Sequence, residues 1–194
     1  MPITLNGNGT VTGLAVGGLP DGSVDADTLA SGVGGKVLQI QTTTKTDVFS
    51  QTGIATNSGA ISNDAISVNI TPSNASNKIL LIAHLSVGLN SDNEVNWTFH
   101  KDGSILSAAT GDDTGNNRKR RTSVGDCRWS GTHHTIGGQF VDTAGGTSQI
   151  TYSIRLGAGH NGTAALYLNR HSTNDNYTYD FNTQSTITAV EISA

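Results

Sequence analysis

The amino-acid sequence predicts an all-β protein, an antiparallel β-sandwich or jelly roll carrying a Gly-rich extended N-terminal arm. Three observations lead there. Only 13% of the 194 residues are charged and 35% are hydrophobic, whereas glycine alone contributes 24. Helix-building runs of Ala, Leu, Glu and Lys are missing, and the abundant Ser, Thr and Asn favour turns and strands. Val, Ile and Thr recur in dense blocks, and the net charge is only -4, which separates the chain from highly charged disordered sequences.

Residues 1–35 form a segment of their own texture. Gly7, Gly9, Gly13, Gly17, Gly18, Gly22, Gly32, Gly34 and Gly35 interrupt every potential element, leaving β-like pieces such as Gly9 to Val16. Asp21-Gly22 and Gly34-Gly35 are turn dipeptides. A short helix over Asp25 to Ser31 has Ser23 or Asp25 as cap and Gly32 as stop. Such a segment buries no core of its own, so it must drape over another surface or intertwine with copies of itself.

From Lys36 onward, residues 36–194 read as one β domain. Lys36 to Thr44 (KVLQIQTTT) alternates apolar and polar residues, the period of a half-buried strand. Ala65 to Thr71 repeats the pattern and stops at Pro72. Lys78 to Gly88 (KILLIAHLSVG) is more continuously apolar, which predicts a central strand covered on both faces. Glu94 to His100 alternates again, and Lys101-Asp102-Gly103-Ser104 predicts a hairpin turn into Ile105-Leu106. Thr135 to Val141, Gln149 to Leu156, Ala164 to Asn169 and Ser185 to Ile192 complete the set. Thr52 to Asn63, Thr110 to Arg121 and Ser172 to Asp180 are read as loops, where recognition on a β scaffold usually sits.

Hydrophobic residues at 35% make a thin core for this length, and oligomerisation is a common remedy. A single cysteine, Cys127, excludes an intrachain disulfide and a cysteine-rich zinc site. The longest apolar run, Ile79 to Leu85, is interrupted by His84 and falls far short of a membrane-spanning helix. Met1-Pro2-Ile3-Thr4-Leu5-Asn6 has neither the basic nor the apolar region of a signal peptide. The expectation is therefore a soluble protein made in a cytoplasm, without membrane insertion.

Patterns that suggest chemistry have plainer readings. Gly157-Ala158-Gly159-His160-Asn161-Gly162 matches a dinucleotide fingerprint, but Thr163 to Leu168 alternates like a strand where that site needs a helix. Arg118-Lys119-Arg120-Arg121 is the only basic run, and it has no adjacent aromatic partners for base stacking. Nucleic acid is thus not an expected partner; a solvated loop or pairing with Asp112-Asp113 fits better. His133 and His134 are adjacent, so in a strand they point to opposite faces and cannot share an ion. Only a histidine on a threefold axis would gather three ligands. Asp112, Asp113, Asp126, Asp142, Asp175 and Asp180 stand in turn-like company rather than as a glycosidase pair. No Gly-x-Ser-x-Gly occurs. The sequence thus predicts no catalytic residues, no metal site and no cofactor.

Several phrases carry a resemblance. Gly9-Thr10-Val11-Thr12-Gly13-Leu14, Gly17-Gly18-Leu19-Pro20-Asp21-Gly22-Ser23-Val24 and Lys36-Val37-Leu38-Gln39 resemble the opening of tail-fibre and virion surface structural proteins of tailed phages of the cyanophage kind. Thr71-Pro72-Ser73-Asn74-Ala75-Ser76-Asn77-Lys78-Ile79-Leu80, Lys101-Asp102-Gly103, Tyr152-Ser153-Ile154-Arg155 and Ile187-Thr188-Ala189-Val190-Glu191-Ile192 are similar to later blocks of that group. The resemblance implies a non-enzymatic virion component built of homotrimeric β-sandwich modules. Its implied partners are copies of itself and other virion proteins, of the tail and baseplate or the major capsid protein.

Two roles share these features. A receptor-binding tail fibre would present Trp97, Trp129, Tyr177 and Tyr179 to a host surface glycan. A head-decoration (cement) protein would clamp capsid subunits with the same sandwich. In either, the arm serves attachment to the virion through Leu14, Val16, Leu19, Val24 and Leu29. A glycan-cleaving fibre is the third and remotest reading.

Overall fold

The computed structural model describes residues 4–5, 11–12, 37–55, 61–90, 93–112, 119–127, 133–159, 162–172 and 181–194. The chain divides into two compact units, Met1–Gly35 and Lys36–Ala194. In the first, β1 (Thr4–Leu5) pairs antiparallel with β2 (Val11–Thr12), so part of the Gly9 to Val16 piece is indeed extended. The helix expected over Asp25 to Ser31 lies outside the described residues, as do Leu14, Val16, Leu19, Val24 and Leu29.

The second unit is nearly all β, with two antiparallel sheets packed as a sandwich. Its strands are β3 (Val37–Lys45), β4 (Phe49–Ala55), β5 (Ile61–Ile70), β6 (Lys78–Leu89), β7 (Asn93–Lys101) and β8 (Ser104–Ile105). They continue with β9 (Ser123–Cys127), β10 (His134–Thr143), β11 (Ile150–Ala158), β12 (Thr163–Leu168) and β13 (Ser185–Ile192). One sheet runs β3-β13-β6-β12-β4, with β10 also paired to β6; the other runs β5-β11-β7-β8, with β9 also paired to β7. Alternation located most of these strands to within a few residues.

Two strands depart from expectation. Thr52 to Asn63, read as a loop, contains the end of β4 and the start of β5. Gly53 in β4 has φ 74° and sits among Ser, Gln and Thr, which breaks the apolar rhythm a strand usually shows. The short β9, with Gly125 at its centre, lacks that rhythm too. The β7–β8 turn, by contrast, is as local chemistry dictates. Lys101 pairs with Ser104, and Asp102 and Gly103 have φ 49° and 78°, the doubly left-handed geometry of a two-residue hairpin. A side chain added at Gly103 would come no nearer to another atom than 3.9 Å. Gly103→Ala should therefore cost only backbone strain, about 1 kcal/mol, readable as a shift in the urea midpoint.

The core lies between the sheets. From one side come Ile79, Leu81 and Leu85 of β6 with Ile187 and Ala189 of β13; from the other come Trp97, Phe99, Tyr152, Ile154 and Leu156, all fully buried. Trp97 meets Phe99 edge-on, with centroids 4.9 Å apart, a favoured aromatic geometry. Gly138 on β10 leaves room for the indole, since a Cβ there would stand 3.2 Å from the Trp97 ring. Burying aromatic side chains of this size supplies a large part of a sandwich's stability. Trp97 is thus a core residue and not an exposed platform, a correction to its expected receptor role.

A second correction concerns β6. It is central, but it is not covered on both faces: Ile82 is 41% exposed while Leu81 beside it is fully buried. Replacing Ile82 therefore does not place a charge in the core, contrary to what its continuous apolar run suggests.

Candidate functional site

The polar residues of the sandwich divide into those that hold its ends together and those that coat one face. At one end, Lys101 Nζ donates to Asp142 Oδ2 at 2.8 Å and to the carbonyls of Thr143 and Ala144. The Tyr152 hydroxyl donates to the same carboxylate oxygen at 2.7 Å. Burial and then the Asp142 carboxylate push the Tyr152 phenol far above its usual range, so it stays a neutral donor. Asp142 thus ties β7 and β11 of one sheet to β10 of the other.

Nearby, Glu191 on β13 has no accessible surface. It accepts from Gln39 Nε2 at 2.5 Å, from Ser73 N and Oγ at 2.7 and 2.8 Å, and from Asn77 Nδ2 at 2.6 Å. Burial raises its pKa, but these donated bonds overcome that effect and hold it at about 2. This carboxylate clamps the 71–77 connection onto β3 and β13. Asn169 performs a similar task with φ 68°: its amide donates to the carbonyls of Lys45 and Asp47 and its oxygen accepts from Ser185 Oγ.

The outer face of the β5-β11-β7 sheet is polar. Asp64 accepts from Arg155 Nε at 2.6 Å and Ser153 Oγ at 2.8 Å; burial raises its pKa, and these two donors bring it below the usual carboxylate range. Arg121 donates to Asn96, and beneath this layer Thr98 and His100 are buried and bonded to each other at 3.0 Å. Desolvation, then the Arg155 charge, lowers the His100 pKa. From the basic run, Arg120 donates to the carbonyls of Ser107 and Gly111. Its work is to hold a turn.

The outer face of the β10-β6-β13-β3 sheet is of the opposite kind. Residues opposite one another in antiparallel pairs share a face, so Val141, Leu80, Val190 and Ile40 form one row across four strands. Gln139, Ile82, Thr188 and Thr42 form the next. Ile40 is 61%, Val141 53% and Val37 57% exposed. Gly137, His84, Thr186 and Thr44 form a polar row on the same face, and at the opposite border Lys78 donates to Thr143 Oγ1.

Where β3 runs beside β5, Thr43, Thr44, Lys45, Asp47, Asp64, Ala65, Ile66 and Ser67 line a cleft of about 300 Å³. Its charges are paired, Lys45 with Asp47 at 2.6 Å and Asp64 with Arg155. It is an open polar groove suited to water or a small polar solute.

Of the four aromatics expected to face a receptor, Trp97 is buried, and Trp129, Tyr177 and Tyr179 lie outside the described residues. The structure does not bring a catalytic pair together among the described carboxylates just named: each is engaged by structural donors. The glycine fingerprint at 157–162 begins in the last two residues of β11 and leads into β12, a strand where a phosphate site needs a helix. Among the described residues no group of three metal-ligating side chains occurs, and no helix is long and apolar enough to cross a membrane. The missed feature is the apolar outer face. Its signal is the run in β6, apolar at both parities where β3, β5, β7 and β13 alternate.

Fold and surfaces together define an antiparallel β-sandwich with one charged-polar outer face and one whose middle rows are uncharged and rich in isoleucine, leucine, valine and threonine. No protein-family model and no curated protein matches the chain. Among solved structures it is similar, over 80% of its length, to a chain of the T=1 particles derived from infectious bursal virus, with 15% identity and a TM-score of 0.43. A structure of infectious bursal disease virus Gx strain gives the same identity, coverage and TM-score. The chain spans 36% and 37% of those chains. Likeness of this degree assigns no function.

Proposed function

We propose that this protein is a non-enzymatic structural component of a virion, a homotrimeric tail-fibre or receptor-binding module of a tailed phage. The observation that carries the reading is the surplus of large apolar side chains left outside a thin core. Among the described residues nine of them are between 39% and 65% exposed in a chain that is only 35% hydrophobic. A sequence this poor in apolar residues spends them outside when a neighbouring subunit covers them. The resemblance of several sequence blocks to phage tail-fibre and virion surface proteins supports the same reading, in which its partners are virion proteins and host surface glycans. In this reading residues 1–35 attach the module to the virion, because ordering a Gly-rich arm costs about 1–2 kcal/mol per residue and needs an extended external contact.

Head decoration is the neighbouring alternative, and position on the particle separates the two. Gold-labelled antibody against this protein should mark the tail or its fibres on intact phage. Label distributed over the head shell would replace the fibre reading with decoration, and absence from particles would end the virion reading altogether.

A further inference from the structure

We infer that the outer face of the β10-β6-β13-β3 sheet is where copies of this chain meet one another. This inference rests on the trimeric reading above and assigns it a surface. Its first support is the contrast between the two outsides of the sandwich. One outer face carries Asp64, Arg155 and Arg121 over buried polar side chains. The other carries Val141, Leu80, Val190 and Ile40 in a continuous row with Ile82 alongside. A sheet face that only met water would alternate apolar inside with polar outside.

Charge decides the occupant. The paired rows of this face carry their ionisable groups at the two borders, Lys78 at one and His84 at the other, with none in the rows between. A strongly charged partner would lose hydration there without gaining an opposite charge. The polar outer face of the same protein is excluded on that ground, since its Asp64–Arg155 layer would be desolvated against isoleucine and valine. What suits the uncharged middle of this face, of isoleucine, leucine, valine, threonine and glutamine, is another of the same composition. The Thr42 and Thr188 hydroxyls, already 2.9 Å apart, both donate and accept, so they can be satisfied by identical groups of another copy.

Size and distribution agree. Four strands about 4.8 Å apart and seven paired residues at about 3.4 Å each give roughly 450 Å² in projection, the Lys78 and His84 border rows included. Side-chain relief raises the accessible area toward the about 800 Å² that each partner contributes to a standard interface. Exposure is greatest at both lateral strands, Ile40 on β3 and Val141 on β10, at 61% and 53%. A single added strand or narrow peptide would leave one of those borders wet, whereas an opposing sheet covers both. Aligned sheets pack with about 10 Å between them, and three such faces turned toward a common axis would form a closed apolar column.

The test uses the full chain and light scattering after size-exclusion chromatography. Wild type should have the mass of three chains, and Ile40→Asp and Ile82→Asp should each have the mass of one with an unchanged far-ultraviolet spectrum. Val124→Asp, exposed on β9 in the other sheet, should remain trimeric. A monomeric wild type would defeat the trimeric reading itself. A trimeric wild type whose two face variants are still trimeric at all concentrations would overturn this surface alone. If the face variants are insoluble, carbene footprinting of wild type decides: Ile40, Ile82 and Val141 should be protected at trimer concentration while Val124 is labelled. Full labelling of the first three would reject the assignment.

Discussion

Replacing Trp97 by alanine should lower the unfolding free energy by about 3–5 kcal/mol, the range for truncating a large buried aromatic. For a domain of this size each kcal/mol moves the melting temperature by about 2–4 °C, so a fall near 10 °C is expected by calorimetry. The cause is geometric. The indole is fully buried, edge-on to Phe99 and seated over Gly138, and alanine would leave a void that a two-sheet core closes only in part. A residue serving as an external platform would behave otherwise, since surface substitutions usually stay within about 0.5 kcal/mol. Trp97→Phe should be milder than alanine for two reasons. It keeps most of the ring packing, and it removes an Nε1–H that meets no acceptor among the described residues. If Trp97→Ala melts with wild type, the core position of this side chain is wrong.

Glu191→Gln should cost about 2–3 kcal/mol at neutral pH, and the difference from wild type should vanish in acid. Glu191 is ringed by donors: Gln39 Nε2, Ser73 N, Ser73 Oγ and Asn77 Nδ2. A carboxylate accepts from all of them, whereas the glutamine amide would turn its own NH2 group toward other donors. The folded pKa is depressed from 4.5 to about 2. The carboxylate's contribution is therefore complete above pH 4.5 and is lost as pH falls from there through 2. At about 1.4 kcal/mol per pKa unit the upper bound is near 3 kcal/mol. Chemical denaturation of wild type and variant at pH 7, 4 and 2.5 should show the two curves converging. A gap at pH 2.5 as large as the one at pH 7 would assign the loss to packing instead of charge.

Both effects originate in contacts that join distant parts of the chain, and this marks what was readable beforehand. Strand positions were legible because they are written in local alternation: Ser185 to Ile192 shows Ile187 and Ala189 inward and Thr188 and Val190 outward without any knowledge of neighbours. The Asp102-Gly103 turn was legible because two consecutive left-handed residues are a local requirement that few sequences meet. The candidate site was legible only in part. The β6 run suggests a strand covered on both faces, but the chain itself covers one of them and leaves Ile82 outside.

By itself, then, the sequence determined the β class, most strand positions and the hairpin, all consequences of backbone preferences and period-two patterning within a few residues. Only the tertiary structure decided which apolar residues are core and which are surface. Trp97 is buried because Gly138, far along the chain, leaves it room. Glu191 stays a buried carboxylate because the 71–77 connection folds over it donors that outweigh its desolvation. Ile82 and Ile40 are outside because β10, β6, β13 and β3 align the same parity outward in one register. Alternation says that two faces differ; which of them meets protein depends on partners that no local pattern contains.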